Sequence, residues 1–370
     1  MNLKRKILIN LKNLPGWRTS RKIVVFSVDD YGNVRMASEQ ARRNMEKAGM
    51  NVEQNRFDRF DCLEDKADLT GLYETLSSVK DKNGRHAVFT AFSLPVNIDF
   101  DRVIASGYSD YFYELLPKTF ASLPGYEGTW ELWQEGMRHG LMHPEFHGRE
   151  HLSVPLFKKM LAKRDKDLLT CLENRSYAAF DKNRLDRSYT GAFGFSDFSE
   201  NKNLIDIAVD GLNQFEKVFG FRAAHITAPG VSAHGSLEEA LAPKGIRYID
   251  TQIVKKEHQG NGKYTRKYTP LGKKNKKGQT YLLRNCVYEP LLGQNVDVCM
   301  QEIDIAFKTG KPANISSHRV NFCGHIDPKN REKGLRHLKD LLQRIVKKYP
   351  DAEFMTTTEL GDLITKKGSM

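Results

Sequence analysis

The chain has 370 residues, of which 39% are apolar and 28% charged, and a formal net charge of +12. That length can bury a substantial core, as one large α/β domain or two ordinary ones, and the composition excludes both a disordered chain and a small stapled scaffold. Five cysteines, widely spaced and without a C-x-x-C pair, exclude a disulfide framework and a cysteine-based zinc site.

Much of the positive excess lies between Met1 and Lys22 and between Lys255 and Lys277. Concentrated charge suits an anionic polymer, a membrane surface or a phosphate-bearing substrate, although solvated lysine loops are commoner. In the first segment Ile7-Leu8-Ile9 is cut by Asn10 and Lys12, too short an apolar run for a signal peptide or a membrane span, so a cytoplasmic protein is expected. Leu3, Ile7, Leu8, Leu11 and Leu14 alternate with basic residues, a pattern for a helix lying on an anionic leaflet or packed on the domain. Residues 1–21 are therefore set apart as a basic segment from a single domain over 22–370.

Lys22-Val28 is a β-branched apolar run that predicts a buried strand with Asp29-Asp30 at its end. Helical spacing follows over Val34-Lys47 and again over Asp68-Val79, with Arg56-Asp61 interrupting. His86-Phe92 predicts a second strand. The aromatic stretch Tyr108-Trp133 suits a core under a long connection, with stacking on sugar faces as the alternative. Leu141-His147 predicts a third strand, made short or irregular by Pro144, then a helix to Ala162 with Ser153 at its cap. Arg175-Phe198 is composed as an insertion, and Asn203-Phe219 as an amphipathic helix ended by Gly220. Strands over Ala223-Thr227, Arg247-Ile249, Tyr281-Tyr288, Ala313-Ser317 and Glu353-Thr356 alternate with helices over Leu237-Leu241, Val296-Phe307, Gly334-Lys347 and Glu359-Ile364, with a Lys-rich insertion over Lys255-Gln279. Strand-then-helix order with polar groups at strand ends predicts a parallel α/β barrel or doubly wound sheet.

Four groups fall at those strand ends: Asp29-Asp30; the histidines around Met142-His151; Thr227-Ala228-Pro229-Gly230; and His318. In a parallel barrel all such ends share one face. His139, His143, His147 and His151 offer several four-residue pairings, and Pro144 spoils a helical pairing of His143 with His147. His147 and His151 remain the pair free of proline.

Strand-Asp-Asp, H-x-x-x-H, a Pro motif after a strand, a strand ending Ser-x-His and a closing FMTTTEL stand in an order that resembles the polysaccharide deacetylase (NodB-homology) family, over roughly Val24 to Leu360. The resemblance implies a distorted (β/α) barrel and a metal-dependent carbohydrate esterase. It implies Asp30, His147 and His151 as metal ligands, Asp29 as the general base, and His318 as the acid that protonates the leaving amine. Pro229 and Gly230 match the family's R-x-P-Y motif only in the proline, with Gly230 or its neighbour supplying the oxyanion donor. Thr227 stands where the family has its arginine, and Arg222 or Arg149 is the expected substitute. Asp250 is the nearest approach to the D-x-x-D-W motif. His143 and Arg149 are expected to line the substrate pocket.

The donor set is consistent by itself: two neutral imidazoles and a carboxylate leave a divalent cation with open positions. Zinc fits best, with Fe(II) as the alternative. The expected activity is deacetylation of an N-acetylated, less readily O-acetylated, sugar, oligosaccharide or glycan precursor. The alternatives are another amide or ester hydrolysis on the same fold and an inactive carbohydrate-binding protein. The expected partners are a carbohydrate and, through the basic segments, an anionic membrane or lipid-linked glycan. Nucleic acid, for which only net charge speaks, is not expected.

Overall fold

The computed structural model describes residues 3–180, 188–230 and 233–366. Helix α1 (Leu3–Asn13) leads to strand β1 (Lys22–Tyr31), in which every residue after Lys22 is buried, as its unbroken apolar run requires. Helices α2 (Glu39–Lys47), α3 (Arg56–Phe60) and α4 (Lys66–Ser77) precede strand β2 (Phe89–Ser93). Strand β3 (Val96–Ile98) and helix α5 (Phe100–Ala105) lead into the aromatic stretch, which forms β4 (Tyr113–Leu115), the antiparallel partner of β3, then α6 (Leu116–Ser122) and α7 (Thr129–Arg138). Trp133, Phe120 and Tyr126 there are buried core. Strand β5 (Met142–Phe146) is followed by α8 (Val154–Ala162), α9 (Lys166–Glu173), α10 (Glu200–Phe219), β6 (His225–Ile226), α11 (Gly235–Leu241) and β7 (Tyr248–Thr251). The Lys-rich stretch contains the hairpin of β8 (Val254–His258) and β9 (Tyr264–Tyr268). Strands β10 (Thr280–Leu283) and β11 (Cys286–Val287), helix α12 (Val296–Lys308), strand β12 (Ala313–His318), helix α13 (Pro328–Lys348), strand β13 (Ala352–Met355) and helix α14 (Thr357–Lys366) complete the chain.

The main sheet is parallel throughout, in the order β10-β7-β6-β5-β2-β1-β12-β11. Strand β13 pairs with the first half of β1 (Lys22–Val25), on which β2 takes only the second half. All the strands point the same way, so their C-terminal ends share one face. The two edges, β10 and β11, are consecutive in the chain and are not paired, so the barrel stays open along a seam that Arg284 and Asn285 span. The fold is thus the distorted (β/α) barrel the motif order implied.

Several expected boundaries move, the helix expected from Gly334 starting at Pro328 among them. The helix expected from Val34 starts at Glu39, because Val34 N–H donates to Asn97 Oδ1 and Met36 N–H to the Asp61 carbonyl, leaving Ser38 as the N-cap. The strand expected over Tyr281-Tyr288 is broken at Arg284-Asn285. Pro144 sits within β5, and the irregularity beside it is repaired by a side chain: buried Glu145 accepts the N–H groups of Ala224 and His225, both at 2.9 Å. Along the N-terminal segment Arg5 pairs with Glu302 at 2.6 Å, and Lys311 Nζ donates to the carbonyls of Pro15, Gly16 and Trp17.

Candidate active site

Consecutive residues of a strand point to opposite faces, so Asp29 and Asp30 could not both serve one site from a regular β1. The register against β2 shifts between Val28 and Tyr31, and Asp30 takes φ 76°. This is a bulge with its irregular residue in the left-handed region, which aspartate tolerates better than most residues. Both carboxylates then line one cavity of about 480 Å³. In the register with β12, Asp29 lies opposite His318, which also faces that cavity.

His147 and His151 lie on either side of the corner between β5 and α8, not on one helical turn. His147 Nε2 is 3.3 Å and His151 Nε2 3.2 Å from Asp30 Oδ1, and ligand atoms of the three residues all lie within 4.8 Å of one another. His147 Nδ1 is 2.9 Å from the Thr227 carbonyl, a partner that only accepts, so the proton belongs on Nδ1 and the lone pair of Nε2 faces the cluster. Burial lowers the pKa of His151 despite Asp30, which favours the neutral, ligating form. The three residues fit a divalent cation in donor type, spacing and protonation. Gly148 makes the corner possible: its φ is +105°, and a Cβ there would lie 3.2 Å from the Pro229 ring.

The arginine missing from the Thr227 position comes instead from the seam. Arg284 Nη1 and Nη2 donate to Asp29 Oδ2 and Oδ1, each at 2.7 Å, and Nη2 also donates to Thr227 Oγ1 at 2.8 Å. Its Nε lies 2.6 Å from Asp250 Oδ2, a charge contact without hydrogen-bond alignment. Burial alone would push Asp29 up, but the Arg284 guanidinium, with His147 and His318 nearby, holds it below the usual carboxylate range. Burial pushes Asp250 up to about 6 against the pull of Arg284. Asp250, read as the nearest approach to a motif, thus anchors the arginine that clamps Asp29. The available signal was a lone cation in the apolar run Tyr281-Leu282-Leu283-Arg284.

On the opposite side His318 Nε2 lies 3.8 Å from Asp29 Oδ2, and its Nδ1 hydrogen-bonds Glu289, a residue the sequence reading did not single out. Burial works to lower the pKa of His318, but the hydrogen bond and charge of Glu289, with Asp30 and Asp29, carry it up to about 9. Glu289 is fixed in turn by Arg56 and by Asn321 Nδ2 at 2.7 Å. The Phe57 ring stands edge-on to His318, centroids 5.4 Å apart. Arg56-Asp61, which in the sequence only interrupts the helical spacing, therefore walls the site.

Two expected pocket residues lie elsewhere. His143 sits early in β5, 3.3 Å from Glu145 and stacked on Phe221, and does not line the cavity. Arg149 points away from it, donating to Glu150 and Asp210, each at 2.8 Å, over the Tyr113 ring. Both sit near the motif in sequence, but the strand pleat and the corner turn them outward. Arg222, the other substitute for the missing arginine, pairs with Glu216. Gly230 lines the cavity, whereas Pro229 packs on the histidine corner.

No family model and no curated protein sequence matches the chain. Among solved structures it is similar to the peptidoglycan deacetylase PdaC from Bacillus subtilis (8% identity, 94% of each chain covered, TM-score 0.37). It is similar to a probable polysaccharide deacetylase from Pseudomonas aeruginosa (8% identity, 93% of this chain and 91% of that one, TM-score 0.45). It is similar also to Puue allantoinase (9% identity, 94% and 93%, TM-score 0.44).

Proposed function

We propose that the chain is a metal-dependent hydrolase that removes the acetyl group from an N-acetylated, less readily O-acetylated, sugar, oligosaccharide or glycan precursor. One observation carries this reading: a candidate metal cluster stands between an ionised carboxylate clamped by arginine and a histidine kept protonated by glutamate. Asp30, His147 and His151 would hold the cation, zinc by its fit to this donor set, which when bound polarises the acyl oxygen and makes water a better nucleophile. Asp29, held ionised by Arg284, takes the proton from the attacking water. His318, held protonated by Glu289, gives its proton to the departing nitrogen, which leaves only as an amine. Gly230 lines the cavity, and its backbone N–H would be the donor to the acyl oxygen.

The paired base and acid argue against an inactive sugar-binding protein, which needs neither clamp. Another amide or ester hydrolysis remains the second reading, because the same apparatus serves any acyl transfer to water. No helix among the described residues is long and apolar enough to cross a membrane. Ile7, Leu8, Leu11 and Leu14 of α1 and the following loop are each at least half exposed, which supports peripheral contact of a cytoplasmic protein with an anionic membrane or lipid-linked glycan.

The test is elemental analysis of purified protein together with acetate release from chitooligosaccharides and aryl acetates. One zinc per chain is expected, and a loss of about 10²–10⁴-fold in rate for Asp29→Asn. Protein that neither retains nor takes up stoichiometric metal, or an Asp29→Asn protein of undiminished rate, would refute the assignment.

A further inference from the structure

A second cavity, of about 580 Å³, follows the open seam of the barrel and adjoins the first at Asp29 and Gly230. Away from Gly230 its exposed lining residues are Lys12, Gln252 and Val254, so its mouth there lies between helix α1 and the hairpin of β8 and β9. These two elements are tied together by the chain that leaves each of them. Trp17 N–H donates to the Leu271 carbonyl at 2.8 Å, and a Cβ on Gly16 would meet that oxygen at 2.5 Å.

Both elements turn apolar side chains outward. Helix α1 is held on its inner side by buried Ile9 and Asn13 and by the pairing of Arg5 with Glu302. Helical spacing puts Ile7, Leu11 and Leu14 on the opposite side, with Leu8, Lys6 and Lys12 flanking them, and all six are exposed. In the hairpin the register sets Val254 opposite Tyr268, Lys256 opposite Arg266 and His258 opposite Tyr264. Residues so paired share a face, and on this one Val254, Lys256, Tyr264, Arg266 and Tyr268 are exposed. Lys255 alternates to the other face, where it is buried and paired with Glu238 and Glu257. Phe198 and Leu292 are the only other exposed large apolar side chains among the described residues. The charge around these side chains has one sign. No aspartate or glutamate occurs from Met1 to Lys22 or between His258 and Tyr288, and Lys273, Lys274, Lys276 and Lys277 are exposed just beyond the hairpin. A second copy of the same basic face would be repelled, which speaks against self-association through it. Nucleic acid would meet the basic groups and leave the exposed leucines without a role. An anionic bilayer meets both, since headgroup phosphates take Lys and Arg, the acyl boundary takes Ile and Leu, and tyrosine sits at the level between.

We propose that α1 and the hairpin of β8 and β9 form one docking face for an anionic lipid bilayer, with Ile7, Leu8, Leu11 and Leu14 entering the acyl boundary on one side of the seam and Val254, Tyr264 and Tyr268 on the other. The face rests on the peripheral contact read above from α1, adds a second element to it, and commits it to the bilayer itself. It needs nothing from the deacetylase chemistry. Docked this way, the mouth of the seam cavity stands against the headgroups.

The test is sedimentation of the full chain with vesicles of phosphatidylcholine alone and of phosphatidylcholine mixed with phosphatidylglycerol, in chelator so that no hydrolysis intervenes. The mixed vesicles are expected to bind the chain about tenfold or more tightly than the neutral ones, with the difference shrinking as salt is raised. Leu8→Glu combined with Leu11→Glu is expected to weaken that binding about tenfold or more, and Tyr268→Glu, on the other side of the seam, about 3- to 10-fold. All three positions are exposed, and thermal melting checks that each variant folds. Ile7→Ser and Arg266→Ser replace a variant that does not. The docking face is overturned if neither kind of vesicle binds, if both bind alike, or if DNA displaces the chain from the mixed vesicles. It is overturned also if the chain is a dimer that the Leu8 and Leu11 changes convert to monomers, which would make a second copy the occupant. Binding lost in that variant and kept in full by Tyr268→Glu overturns the two-element face and leaves α1 as a contact by itself. Acetate release from chitooligosaccharides by zinc-loaded protein is scored separately, and its absence counts against the deacetylase reading alone.

Discussion

In the proposed mechanism His318 acts as an acid only while it keeps a proton that an isolated imidazole would lose near pH 6.5. Glu289 against Nδ1 raises that pKa to about 9, so the protonated form persists through neutral pH, and the proposed mechanism expects activity to fall as pH rises past it. The same raised pKa stabilises the fold fully below about pH 6.5, a contribution that disappears as pH passes 9. Replacing Glu289 with Gln removes the charge, and the alkaline limb of the pH–rate profile should move down towards 6.5, costing about tenfold in rate at pH 8. A limb that stays in place would show that Glu289 does not tune the acid. Arg284 carries a heavier burden, because Asp29 and Asp250 are both buried against it. Arg284→Met leaves two buried carboxylates without their cation, and urea unfolding should show a loss of about 3–5 kcal/mol. Acetate release should fall as well, since Asp29 loses its orientation.

At the scale of elements, His318 is supported by a helix that does not line the cavity. Helix α13 lies against the turn Arg319–Asn321 that follows His318, and a Cβ on Gly334 would come within 1.8 Å of the Asn321 carbonyl oxygen. Asn321 also holds Glu289. Gly334→Ala must therefore shift the turn, at an expected cost of about 1–3 kcal/mol in urea unfolding, with a change in the alkaline limb if the shift reaches Glu289. Helix α3 shows why some elements were not legible. Arg56-Asp61 carries no helical apolar spacing, because its side chains are spent on the site and on buried ion pairs: Arg56 with Glu289, Asp58 with Arg35, Asp61 with Arg319. The long amphipathic elements were legible for the converse reason. Helix α10 has its apolar stripe facing the core and ends at Gly220 with φ 81°, as its spacing predicts.

For the whole molecule, a cation bound only by the folded state links metal to stability. Zinc at a hundred times its dissociation constant should stabilise the protein by about 2.7 kcal/mol, seen as a melting temperature that climbs with zinc concentration and returns in chelator. Asp30→Ala should abolish that climb, and a climb that survives would place the metal elsewhere.

The sequence alone determined what is local or repetitive. The alternation of strands and helices called for a parallel barrel or doubly wound sheet, and in a barrel the strand ends put Asp29, Asp30, His147, His151 and His318 on one face before any contact was visible. What held those groups was settled by tertiary structure. Arg284 reaches Asp29 across 255 residues, and Glu289 reaches His318 across 29, by a break in a strand and a sheet neighbour that periodicity does not encode. His143 and Arg149 mark the opposite case, near the motif in sequence and turned away from it by the pleat and the corner. Spacing along a chain fixes direction only within one regular element, and the clamps of this site join different elements.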